Sequence, residues 1–186
     1  MKNCAFLKAM WLRLGSLRRD QRGISAVEFA MVLPLMISLY FGVVEISQGV
    51  AAQRKTTLTA RTIADIASQY TSIKNADMTN MLNAASAVIA PFDVSLLKVT
   101  VSAINIDING VAKVAWSDTL HGTARAVDST ISVPAALNVP NTQLIWSEVT
   151  YSYTPTVGNV FTGTLNLFDQ IYMRPRLSDT VNRVNS

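Results

Sequence analysis

The sequence predicts an α+β fold: a long N-terminal helix, transmembrane then amphipathic, packed on a small antiparallel sheet of about four strands, with one further helix. Three observations carry this expectation. An apolar run covers Ile24 to Val44, and the chain stays free of proline from Gln48 to Tyr70. After Val94 the spacing turns to alternation, with Leu97, Val99, Val101 and Ala103 set against Lys98, Thr100 and Ser102. Asn109-Gly110 then separates two such runs, which is the strongest short-range signal of a hairpin.

The first element is long enough to cross a membrane. Its 21 residues from Ile24 to Val44 hold one charge, Glu28. At ~1.5 Å per residue they extend about 31 Å, against a hydrocarbon core of ~30 Å. Lys2, Lys8, Arg13, Arg18, Arg19 and Arg22 precede this run with only Asp20 opposing them. Residues 1–23 therefore carry a net +5 and residues 24–186 a net −1, together the chain's +4. A net acidic remainder lacks the electrostatic footprint that nucleic-acid binding needs. Positive charge on one flank predicts a cytoplasmic N-terminus and a translocated C-terminal side. The expected organisation is a basic leader at 1–23, a transmembrane helix at 24–47 and an exported domain at 48–186. That domain should be helical over 48–90 and strand-rich over 94–176. The single cysteine, Cys4, lies in the leader, so the exported part has no disulfide to form.

Glu28 is the informative residue of the span. A carboxylate at mid-membrane costs about 2.5–3.5 kcal/mol and less near the interface, and Glu28 stands one turn in from Ile24. Two readings are open: the side chain snorkels to headgroups, or it pairs with a cation at the same depth. Cutting between Gly23 and Ile24 would create such a cation, an α-amino group. A cleaved secretory signal with a small-residue site near Gly49-Val50-Ala51 is a further alternative, although this apolar run is longer than usual and holds a proline and an acid. Pro34 falls mid-span, where it removes a helical hydrogen bond and kinks or loosens the helix. Gly42 offers a point of close approach for another helix.

The run Arg19-Asp20-Gln21-Arg22-Gly23, followed by Ile24-Ser25-Ala26-Val27-Glu28-Phe29 and Ala30-Met31-Val32-Leu33-Pro34-Leu35, resembles the cleavage and anchor motif of type IV prepilins. Within that group it most resembles the TadE-like pseudopilins of the tight-adherence (Tad, or Flp) pilus. The resemblance implies cleavage after Gly23 by a membrane-embedded prepilin peptidase, with Arg18, Arg19 and Arg22 as leader charges. It also implies that Glu28 pairs with the N-terminal amine of a neighbouring subunit. The implied partners are that peptidase, other pilins or pseudopilins, the pilus assembly platform and membrane lipid. The implied location is the bacterial inner membrane, single pass, with the C-terminal domain periplasmic or carried into a pilus. Trp146 to Pro155 resembles the family's late strand with Glu-x-x-Tyr-x-Tyr-x-Pro, and Met173-Arg174-Pro175-Arg176 its closing strand and basic end.

In the exported part, Leu58, Ile63, Ile66 and Ala67 fit one apolar helix face. Asn75-Ala76-Asp77 offers a cap for a second helix from Met78 to about Ala90, stopped by Pro91, with Met78, Met81, Leu82 and Val88 as core. The alternation slips phase at Ile104, Ile106 and Ile108, which reads as a bulge. The return strand is expected over Val111–Trp116, and two more over Leu144–Tyr153 and Leu165–Met173, joined by a Pro155/Gly158/Gly163 loop. The stretch 117–142 reads as irregular, with a short helical turn at Ala135–Leu137 between Pro134 and Pro140.

Chemistry is sparse. His121 is the only histidine, so a Ser/His/Asp triad has one candidate base, with Ser117, Asp118 and Asp128 nearby. Such triads draw their members from distant segments, and local neighbours are poor support for one. Asn105, Asp107 and Asn109 before Gly110 only loosely resemble a calcium loop, which would want an aspartate at 105 and a glutamate at 116. No cofactor, metal site or catalytic residue is expected. The rival to a pseudopilin is an uncleaved single-pass protein whose outer domain binds a periplasmic or surface partner.

Overall fold

Helix α1 runs from Ile24 to Ser68, through Pro34. The structure, a computed structural model, describes residues 23–156 and 163–184. The leader charges Arg18, Arg19 and Arg22, Cys4 and the loop glycine Gly158 therefore lie outside the described residues. The chain divides into two compact units, the first ending at Val44 and the second running from Glu45.

In the second unit α1 is followed by β1 (Ser72–Ile73), α2 (Asn75–Ile89), β2 (Leu97–Ile106) and β3 (Ala112–Leu120). Then come β4 (Thr130–Ile131), β5 (Thr142–Tyr153), β6 (Leu165–Met173) and β7 (Asn182–Arg183). The main sheet has the order β4-β3-β2-β5-β6 and every pairing in it is antiparallel. The four predicted strands are all there, and the two-residue β4 adds a fifth. β1 and β7 form a separate parallel pair.

The face of α1 that meets the sheet is made of small residues. Ala52, Thr56, Thr59, Ala60, Ala64 and Ala67 are buried together with Ile63, at the three-and-four spacing of one helical stripe. Ala52, Ala60, Ile63 and Ala67 share one core with the sheet residues Leu97, Val99, Val101, Ile145 and Val149. The Thr56 and Thr59 hydroxyls are satisfied within the helix, donating to the Ala52 and Lys55 carbonyls at 3.0 and 2.8 Å. Leu58, expected on this face, is half exposed instead, because it stands about 200° around the helix from Thr56.

Helix α2 begins at Asn75, three residues ahead of the expected Met78. The backbone N–H of Lys74 donates to the Asp77 carboxylate at 3.1 Å, the reciprocal half of a capping box. Met78, Met81, Ala85 and Ile89 face the core, while Val88 is only half-buried. The helix stops before a cis Ala90–Pro91 peptide.

The phase slip at Ile104 has a different cause from the one expected. β2 pairs with β5 in unbroken register from Leu97↔Tyr151 to Ile106↔Thr142, so β2 itself has no bulge. The irregularity is on its other neighbour: Ala103 faces Trp116 but Ile104 faces Val114, leaving Ala115 as the extra residue of β3. Leu97, Val99, Val101 and Ala103 point to the α1 side, whereas Ile104 and Ile106 point to the opposite face. There they join Ala112, Leu144 and Trp146 in a second, smaller core, covered by Ile131, Val133 and Leu137. The stretch expected to be irregular from Ser117 thus starts after Leu120 and has a task, to roof the sheet's second face. Its helical turn does fall at Ala135–Leu137.

The β2–β3 hairpin closes around Ile108-Asn109-Gly110. Asp107 N–H donates to Val111 O at 3.0 Å, and Gly110 takes the left-handed φ of +78° that only glycine adopts without cost. The loop is therefore the three-residue type with a left-handed closing residue, and the strands end one step further out on each side.

Residues 174–184 return across the molecule and seal the main core. Arg176 N–H donates to Ser68 O at 2.8 Å, satisfying an open carbonyl at the end of α1, and its side chain pairs with Asp65 at 2.6 Å. Val181 is fully buried, its carbonyl accepting from Trp116 Nε1 at 2.8 Å and its N–H donating to Gln143 Oε1. Arg183 then pairs with Asp118 at 2.9 Å and donates to Asn75 Oδ1.

Candidate functional site

The residues singled out for assembly lie on the first turns of α1. Ile24 opens the helix directly after Gly23, and Glu28 sits four residues on, about 6 Å along the axis and on the same face. Every residue from Ile24 to Val43 is exposed, including Met31 at 77% and Leu35 at 61%. The segment is apolar and long enough to cross a membrane. Burying each of its large side chains against another apolar surface is worth about 1.5–3 kcal/mol.

Pro34 leaves the helix continuous. It lacks the N–H that would bond the Ala30 carbonyl, while its own carbonyl accepts from Ser38 Oγ at 2.8 Å. At Gly42 an added Cβ would meet nothing within 4 Å, so within the chain that position is open.

The other residues considered for chemistry are engaged elsewhere. His121 Nδ1 is 3.0 Å from Leu97 O, Ser117 Oγ is 2.9 Å from Ser102 Oγ, and Asp118 is held by Arg183. They do not converge on a nucleophile–base pair. Asp107 Oδ1 accepts from the backbone of Asn109 and Val111, both at 2.8 Å, which makes it a turn residue of the hairpin. Tyr151 and Tyr153 are buried on the α1 side of the sheet, with Phe92 packed on Tyr151 at 5.8 Å between ring centres. Burial pushes both hydroxyls above the ordinary tyrosine pKa; the Glu45 carboxylate adds to the shift at Tyr153.

Glu148, in the same motif, points the other way. Its Oε2 accepts from Arg125 Nη2 at 2.5 Å and Nε at 3.1 Å, and the Arg125 guanidinium lies 4.1 Å from the centre of the Trp146 ring. Sequence reading missed this cluster. The available signal was the shared parity of Glu148 and Thr150 on one strand with Lys98 and Thr100 on another.

A family model described as TadE-like protein matches residues 23–65, which bears out the resemblance drawn from the motif at Gly23 to Leu35. That match associates the protein with Tad pili. No curated protein and no solved structure matches the chain.

Proposed function

We propose that the protein is a minor pilin or pseudopilin of a Tad-type pilus, cut after Gly23 by a prepilin peptidase and built into the assembly through α1. It acts as substrate and structural part, not as catalyst. One observation carries the reading: an apolar helix that opens at Ile24, is exposed all round through Val43, and bears a lone carboxylate one turn in. Lipid satisfies the apolar surface but not the carboxylate. A neighbouring subunit's α-amino group satisfies both requirements, because it brings a cation at that depth on a helix of the same kind. The exported unit then remains outside the membrane as the part presented to other components.

Intact mass of the membrane-extracted protein, with and without a prepilin peptidase, tests the first step. The expected product begins at Ile24. A leader retained under both conditions supports the rival, an uncleaved single-pass protein with an outer partner-binding domain. For the second step, Glu28→Ala should leave cleavage and membrane insertion intact while lowering recovery in the assembled complex by about tenfold or more, the scale of a lost buried charge pair. Unchanged assembly would remove Glu28 from the mechanism.

A further inference from the structure

The sheet face away from α1 changes character along its length. Cross-strand register places Ile104 beside Leu144 and Val114, then Ser102 beside Trp146 and Ser117, then Thr100 beside Glu148 and Thr119, then Lys98 beside Thr150. β6 extends the last three rows with Tyr172, Gln170 and Phe168. The first rows form the covered second core. Arg125 marks its boundary, lying over Trp146, which in turn stacks on Tyr172 at 5.3 Å.

Beyond Arg125 the face opens into a cavity of about 430 Å³, in the size range of small-ligand sites. Lys98, Thr100, His121, Thr150, Glu148 and Phe168 line it. The rim is built, not incidental. His121 holds a left-handed φ of +52°, fixed by its bond to Leu97 O. A carbonyl only accepts, so Nδ1 carries the hydrogen of that bond. Next to it, a Cβ on Gly122 would stand 2.6 Å from Thr119 Oγ1, so the loop reaches this close only as glycine.

The lining selects a ligand chemistry. Arg125 is neutralised by Glu148, and both of its bonds use Oε2, leaving Oε1 without a donor among the described residues. Lys98 has no carboxylate within 4.0 Å among the described residues, so one positive charge is uncompensated. Around that cation stand threonine hydroxyls, the free carboxylate oxygen and a phenyl ring, Phe168, that is 49% exposed. Hydroxyl partners, an apolar ring face and a single cation together match a sugar ring carrying one acidic group. A doubly charged phosphate would meet too few free cations, and an apolar ligand too many hydroxyls.

We propose that this cavity binds an acidic saccharide unit, its carboxylate at Lys98, its hydroxyls at Glu148 Oε1 and the threonines, and its ring against Phe168. The test is calorimetric titration of the full chain in detergent with short oligomers of galacturonate, glucuronate and N-acetylneuraminate. Their methyl esters and acetate alone are the controls. At least one oligomer should bind, its methyl ester about tenfold or more weaker, and acetate not measurably, since a hydrogen-bonded charge is worth about 1.5–3 kcal/mol. Lys98→Ala should cost the acid about tenfold and the ester little. Phe168→Ala should weaken both. Lys98 is exposed and Phe168 half exposed, so unchanged thermal unfolding of both variants is expected and checks their folding. Failure of all three oligomers to bind, acetate binding as well as they do, or indifference to Lys98→Ala would each overturn the assignment.

Discussion

The two stretches of α1 use opposite side chains for the same backbone. Before Glu45 the helix carries Phe29, Met31, Leu35, Leu39 and Phe41, all exposed. After it, the buried stripe is alanine and threonine around one isoleucine, Ile63. The difference teaches where each partner comes from. A stripe that packs on the chain's own sheet is trimmed to the space left in a core whose other walls are already in place. A surface of large exposed side chains is suited to lipid and to other helices, whose positions the chain does not fix.

Substitutions can break that contrast. Ile63→Ala should be the most damaging, costing about 2–5 kcal/mol of stability of the second unit, because Ile63 is fully buried in the main core. Leu35→Ala, removing as many carbons, should leave the same unfolding transition in place; equal losses would refute the distinction. Ala60→Leu should cost about 1–3 kcal/mol by forcing the helix off the sheet. Met31→Leu in the exposed stretch should not register in the same urea titration.

Alkaline pH reports on the packed side as well. Burial raises the pKa of Tyr151, Tyr153 and Tyr172 above the ordinary 10.0, with Glu148 adding to Tyr172 and Arg125 opposing. A folded pKa above the unfolded one means full stability below about pH 10 and loss as pH climbs past it. The urea midpoint should therefore be flat up to about pH 9 and fall above pH 10, with Tyr153→Phe making the fall shallower. A midpoint constant throughout would show these hydroxyls to be solvated. Smallest of all, Leu58→Ala should stay within about 0.5 kcal/mol, since its side chain is half exposed.

Much of this was legible in the sequence, and the misses share a physical cause. The alternation of Leu97 to Ala103 marks β2, and the apolar run before the second unit marks the first stretch of α1. Leu58 misled because a large apolar residue draws the eye, whereas the stripe that packs is marked by small ones such as Ala60 and Ala64. The phase slip at Ile104 was visible, but one strand's pattern cannot say whether the chain bulges or the second face is also covered. That depended on Ile131, Val133 and Leu137 in a stretch without periodicity. Residues 177–184 gave no local signal either, because Leu177, Val181 and Val184 are scattered among polar residues without strand or helix period. Of the proposed sites, the Gly23–Glu28 motif is continuous and readable, whereas the Arg125–Glu148 cavity joins four segments that only the register of the sheet brings together.

The strap at 174–184 has a consequence for the order in which the second unit closes. Val181 plugs the main core, Arg183 ties to residues 75 and 118, and Arg176 closes the end of α1. These contacts join residues 65 to 108 positions apart, so the second unit cannot close before residues 174–184 are available to it. A chain that folds as it emerges, N-terminal part first, thus lacks its closing piece until late. The keystone arrives after the arch, and the fold stays open for as long as it is missing.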